Sequence, residues 1–221
     1  MKSQDIGLLL KLVAIERQDD TAKSSPIGLR LPDDWRDWAF DSDGELDETE
    51  ALEAAGGAGA SAAPYTTRSL ERVTGISKSQ INLAYRRCHD VGLVREDRLS
   101  GVPRVNKQAL FNLIVHGVPY IFPAKPGSVT RGIGTSFAAP VLSGQLMSAG
   151  ELSMVWQDAR GNTKGRAITP LFKTVPYAVR RDPDLYALLA LSDALRVGQP
   201  RERQVAGNLL ENYLMGTHEF V

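Results

Sequence analysis

The stretch from Tyr65 to Val105 constrains this chain more than any other part of it. Arg68 to Thr74 has the pattern of a short helix with Leu70 and Val73 inward, and it runs into Gly75, a residue that enters a tight turn without a Cβ penalty. Ser77 then opens a second helix, and Ser77-Lys78-Ser79-Gln80 has the form of a capping box. Ile81, Ala84, Tyr85 and Cys88 recur at helical spacing and define its inward face. Lys78, Ser79, Gln80, Asn82, Arg86 and Arg87 are left on the other sides, a set of donors and acceptors suited to base edges and phosphates. Gly92 closes the helix. Leu93 to Glu96 and Arg104 to Asn106 read as paired strands around a loop, with Arg98 near its tip.

The run SLERVTGISKSQINLAYRRCHDVGLV resembles winged helix-turn-helix regulators: a short helix, a glycine turn, a serine-capped recognition helix and a Gly-Leu-Val lead into the wing. The resemblance implies sequence-specific binding of double-stranded DNA. Lys78, Ser79, Gln80, Asn82, Arg86 and Arg87 would face the major groove and backbone, with Arg98 on the wing. It also implies a homodimer that reads two half-sites. Such domains need a preceding helix, and Ser3 to Ile15 supplies the candidate: Ser3 at its cap, and Ile6, Leu9, Leu10, Leu12 and Val13 on more than one side of it.

Charge is balanced overall, with 26 basic and 26 acidic residues, but it is segregated. Acids crowd Asp33 to Glu50, and basic residues crowd Arg68 to Lys107. That asymmetry suits a segment that meets a polyanion, and neutrality of the whole argues against indiscriminate coating of nucleic acid. One cysteine, Cys88, excludes an intramolecular disulfide and a multi-cysteine zinc site. The apolar run Ile6 to Ile15 is interrupted by Lys11 and too short to span a bilayer. The expected location is cytoplasmic, without membrane contact, cofactor or metal.

Between the first helix and the central unit lies an insertion, 18–64. It holds Trp35, Trp38 and Phe40 in a candidate amphipathic helix, Asp33 to Phe40, and then an acidic and Gly/Ala-rich connector. After 107, prolines and glycines exclude a continuous helix from Leu110 to Pro140. Leu152 to Gln157 and Arg166 to Leu171, around a turn at Ala159 to Asn162, predict a β-hairpin. Asp182, Pro183 and Gly198 bound a helix with Leu185, Leu188, Leu189 and Leu195 as its apolar stripe, and Pro200 starts a last helix reaching Met215. Trp156 reads as core. Arg196, Arg201, Glu202 and Arg203 read as exposed, and Lys125, Arg131, Lys164 and Arg166 as a second, scattered basic group.

Two further resemblances concern this half. Gly134-Thr135-Ser136-Phe137-Ala138-Ala139-Pro140 resembles the segment carrying the nucleophile of subtilisin-like proteases, which would make the chain a serine hydrolase using Ser136. A serine needs a histidine base held by a carboxylate. Of His89, His116 and His218, the first falls in the recognition helix and the second lacks that family's surrounding motif. No catalytic residue is therefore assigned. YIFPAKPGSVTRGIGTSFAAP, followed by the hairpin and the two helices, is similar in arrangement to antitoxin-like regulators encoded beside a nucleotidyltransferase-like toxin. That likeness implies an autorepressor, or an antitoxin acting mainly on a partner toxin.

The expected fold is α+β: an N-terminal winged helix-turn-helix made of 1–17 and 65–107, plus a C-terminal mixed α/β domain, 108–221, for an effector, partner or dimer contact.

Overall fold

The computed structural model describes residues 1–23, 31–32, 34–39, 63–145 and 152–216. The Gly/Ala-rich connector, most of the acidic block and His218 lie outside them. The fold is mixed α+β, as expected. Helix α1 (Ser3–Lys23) is followed by α2 (Thr67–Thr74), α3 (Lys78–Asp90) and an antiparallel pair, β1 (Val94–Glu96) and β2 (Pro103–Val105). Next come α4 (Lys107–His116), α5 (Val118–Ile121), β3 (Val129–Thr135), β4 (Met154–Gln157), β5 (Thr163–Ala167), α6 (Val175–Val179), α7 (Pro183–Val197) and α8 (Pro200–Met215).

Helix α1 is apolar on several sides because it is central. Ile6, Leu8, Leu9, Leu10, Leu12, Val13 and Ala14 are all buried, and α1 packs against both α3 and α7. A single apolar cluster runs from α1 through Leu70, Ile81 and Cys88 to the α7 leucines and Leu210 of α8. Lys11, the polar break in this helix, is buried with its Nζ 2.6 Å from Asp182 Oδ2. Asp182 also caps α7, accepting the Leu185 N–H at 3.1 Å. Helices α7 and α8 have the bounds read from Pro183, Gly198 and Pro200. Gly216, at φ 70°, ends α8.

Four local expectations are corrected. Ser3 is the first helical residue of α1, and the side chain that caps there is Asp5, which accepts the Lys2 N–H at 2.7 Å. Residues 34–39 do not form a helix. They run along the small barrel, with Trp38 bridged to Gly161 and the Asp37 carboxylate accepting the Gly134 N–H at 2.6 Å. Trp35 and Trp38 meet edge-on at 5.3 Å and both pack on Tyr186, so aromatic burial and barrel backbone groups outweigh the local helical pattern. The expected hairpin of Leu152 to Gln157 with Arg166 to Leu171 does not form; the strands are Met154–Gln157 and Thr163–Ala167. Each pairs antiparallel with a different half of β3, and with one another they are parallel, closing a three-stranded barrel. Closure this tight needs bare backbone: a Cβ on Gly132 would strike the Trp156 carbonyl, and one on Gly165 the Ser153 carbonyl.

The fourth correction is Arg196, which is buried rather than exposed. Its Nη1 lies 2.6 Å from Asp193 Oδ1 and 3.0 Å from the Thr169 carbonyl, and its Nε donates to the Phe122 carbonyl at 2.8 Å. Asp193 Oδ2 accepts from Trp156 Nε1 at 2.6 Å and Thr135 Oγ1 at 3.0 Å. Burial pushes the Asp193 carboxyl up, and Arg196, Trp156 and Thr135 pull it back. This network ties β3, β4 and the segments before β3 and after β5 to α7.

Burial also pushes the Cys88 thiol up to about 12 and the phenols of Tyr65, Tyr85, Tyr186 and Tyr213 well above the ordinary 10. The folded chain therefore keeps protons that the unfolded chain releases near pH 9–10. Stability is fully present below that range and falls as pH rises through it. Thermal melts should show a midpoint that holds up to about pH 8 and declines from about pH 9 to pH 11, toward the raised folded-state values; a flat profile contradicts this assignment.

Candidate functional site

Helix α2 starts at Thr66, whose hydroxyl accepts the Ser69 N–H at 3.2 Å, and ends at Gly75. Gly75 sits at φ 69°, and a Cβ there would lie 3.0 Å from Thr174 Cβ, so both backbone conformation and space call for glycine. The carbonyls at the end of α2 are held from the C-terminal half: Thr174 Oγ1 donates to Thr74 O and Tyr177 Oη to Arg72 O, each at 2.7 Å. Ser77 precedes α3 in extended conformation, but its side chain caps nothing. The Lys78 N–H instead donates to Glu71 Oε1 at 3.1 Å, because the turn brings the Glu71 carboxylate over the start of α3. The capping box read from Ser77 to Gln80 is thus replaced by a cap from the preceding helix.

Helix α3 has its inner face as expected, with Ile81, Ala84 and Cys88 buried and Tyr85 half-buried. Ser79, Asn82 and Arg86 are exposed along one stripe, and Lys78 is exposed beside Glu71 at 3.5 Å. A pair this open to solvent contributes little and leaves Lys78 available to another anion. Arg98 is exposed in the loop between β1 and β2. That loop is shaped by the Asp97 carboxylate, which accepts the Leu99 and Ser100 N–H groups at 2.8 and 2.9 Å. Those N–H groups hold the Asp97 carboxyl below its usual range.

Two expected members of the set are drawn away. Arg87 is clamped to Asp5 of α1 by two bonds, Nε to Oδ2 at 2.8 Å and Nη2 to Oδ1 at 2.6 Å. Gln80 is half-buried, with its Oε1 accepting from Gln4 Nε2 at 2.8 Å. Positions 80, 84 and 87 share the side of α3 that rests on α1, so these two side chains brace the helix and do not point outward. His89 lies in α3, where the sequence places it. It is exposed in the last turn of α3, three residues after Arg86 and seven after Asn82, a spacing that the sequence already displays.

Ser136 follows β3 with a left-handed backbone, φ 54°, and is 1% exposed. Residues 136–138 pack on α7, and no hydrogen bond joins Ser136 to a histidine among the described residues. A fluorophosphonate probe should leave Ser136 unlabelled in the native chain; specific labelling would establish a nucleophile there. The second basic group is less scattered than its sequence suggests, since Arg131 and Lys164 are direct cross-strand partners and Arg166 lies opposite Val129. Among the described residues no helix is long and apolar enough to cross a membrane. Compared with known proteins, the chain matches no protein-family model, no curated protein and no solved structure.

Proposed function

We propose that 65–107, completed by α1, is a winged helix-turn-helix that binds double-stranded DNA, and that the chain is a transcriptional regulator. One observation carries this reading: Lys78, Ser79, Asn82 and Arg86 stand exposed on the helix that follows the Gly75 turn, with Arg98 exposed in the adjoining hairpin loop. Two base-reading side chains and two cations on one helix, with a third cation on a flanking loop, is a chemistry for groove edges and phosphates together. Dimerisation would double the half-site, and autorepression of an operon would follow from occluding its promoter.

Fluorescence anisotropy with duplex DNA from upstream of the gene tests the reading. Affinity should exceed that for a scrambled duplex by about a thousandfold or more, and should fall steeply with salt. Equal, weak binding to both duplexes counts against sequence-specific regulation.

A second reading rests on Leu83 of α3 and Leu99 of the β1–β2 loop, which are 42% and 100% exposed. Apolar groups there favour a protein partner, as for an antitoxin holding its toxin. Co-expression with the adjacent gene and affinity capture tests it; no complex and no rescue from toxicity rejects it.

A further inference from the structure

Beside the first turn of α1 lies an open cavity of about 810 Å³, within the range of roughly 300–1,000 Å³ that small-molecule sites occupy. Its walls include Ser3, Gln4, Lys125, Ser128, Phe172 and Lys173. Among the described residues, no aspartate or glutamate lines it. Lys125 and Lys173 are exposed, and neither is paired with an acid among the described residues. Asp5, the acid in the first turn of α1, is already neutralised by Arg87. The positive character extends along the barrel. Arg131 and Lys164 face each other across β3 and β5, an arrangement that like-charge repulsion disfavours, and Arg166 follows on the same strand. The cavity is also apolar on one side, where Ile168, Leu171 and Pro176 join Phe172.

We propose that this cavity binds a small organic anion: a phosphate, sulfonate or carboxylate held by Lys125 and Lys173, on an apolar or aromatic body packed against Phe172 and Leu171. A concave, half-apolar wall suits such a molecule. Occupancy reaches α3 through one residue. Gln4 lines the cavity and also donates to Gln80 at 2.8 Å, and its neighbour Asp5 clamps Arg87. A ligand that engages the Gln4 amide competes with the Gln80 bond and loosens the start of α3. Any effect on DNA rests on the function proposed above; the site and its link to α3 do not.

The test uses the full chain and 8-anilinonaphthalene-1-sulfonate, an aromatic sulfonate. Fluorescence titration should give one saturable site per chain. Affinity should weaken at least about tenfold in the Lys125→Gln/Lys173→Gln variant, because both cationic contacts to the anion are removed. Both side chains are exposed, so the variant should melt as the wild type does. Hydrogen exchange at Ile81 and Lys78, whose N–H groups are held by the Ser77 carbonyl and the Glu71 carboxylate, should quicken on adding the probe to the wild type and stay unchanged in Gln4→Ala. Absent or non-saturable binding, or equal binding by the double variant, overturns the site. Intact binding with unchanged exchange at Ile81 and Lys78 overturns the link to α3. Neither readout requires DNA, so failure of the DNA reading is seen separately, as absent anisotropy change with either duplex.

Discussion

Replacing Asp193 with alanine should destabilise the chain by about 3–5 kcal/mol, the usual consequence of leaving a buried charge without its partner. Asp193 and Arg196 are 1% and 6% exposed, and Arg196 would keep only the Phe122 and Thr169 carbonyls. Trp156 Nε1 and Thr135 Oγ1 would lose their common acceptor as well. Denaturant unfolding followed by tryptophan fluorescence measures the loss, with Trp156 reporting from inside the network. The double variant Asp193→Leu/Arg196→Met separates charge from packing. Removing both charges leaves no unpaired ion, so it should be less destabilised than Asp193→Ala alone. If Asp193→Ala melts as the wild type does, the network is not an organising feature of the fold.

The second large effect should appear in DNA binding. The Lys78→Glu/Arg86→Glu variant should weaken affinity for the upstream duplex by about a hundredfold, roughly 1–2 kcal/mol for each reversed contact. It should also reduce the slope of log affinity against log salt by about 2. Both side chains are exposed, and the Lys78–Glu71 pair is solvent-open, so stability should change by less than about 1 kcal/mol. Arg87→Ala supplies the contrast. Asp5 is fully buried and Arg87 neutralises it, so this change should cost about 3 kcal/mol of stability and leave the salt slope of the folded protein intact. Unchanged binding by a well-folded Lys78→Glu/Arg86→Glu variant would reject α3 as the recognition helix.

Arg86 and Arg87 show how far a sequence pattern reaches. The inward face of Ile81, Ala84 and Cys88 is periodic, so the residues left over are legible as a set. Periodicity does not say which leftovers meet solvent and which meet another helix. Gln80 and Arg87 differ from Asn82 and Arg86 only because α1 lies along their side, and the partners Gln4 and Asp5 come from 76 and 82 residues away. The cap of α3 has the same logic at shorter range: Ser77 stands in the right position, yet Glu71 reaches the Lys78 N–H because of the turn at Gly75. The cavity gave no linear signal, since Gln4, Lys125 and Lys173 are neighbours only in the folded chain.

Helices with clear punctuation are legible in the linear chain. Asp182, Pro183 and Gly198 bound α7, Pro200 opens α8, and Gly75 separates α2 from α3, because capping and glycine conformations are local properties. Tertiary structure decided everything that depended on which surface meets which. It turned two expected hairpin strands into parallel neighbours in a closed barrel, since strand pairing is a long-range choice that β3 settles by pairing with both. It buried Lys11 and Arg196 against Asp182 and Asp193, which give each buried cation the opposite charge and hydrogen bond it needs away from water. Around the turn at Gly75 it kept Lys78, Ser79, Asn82 and Arg86 exposed, and it assigned Arg87 and Gln80 to hold the helix that carries them.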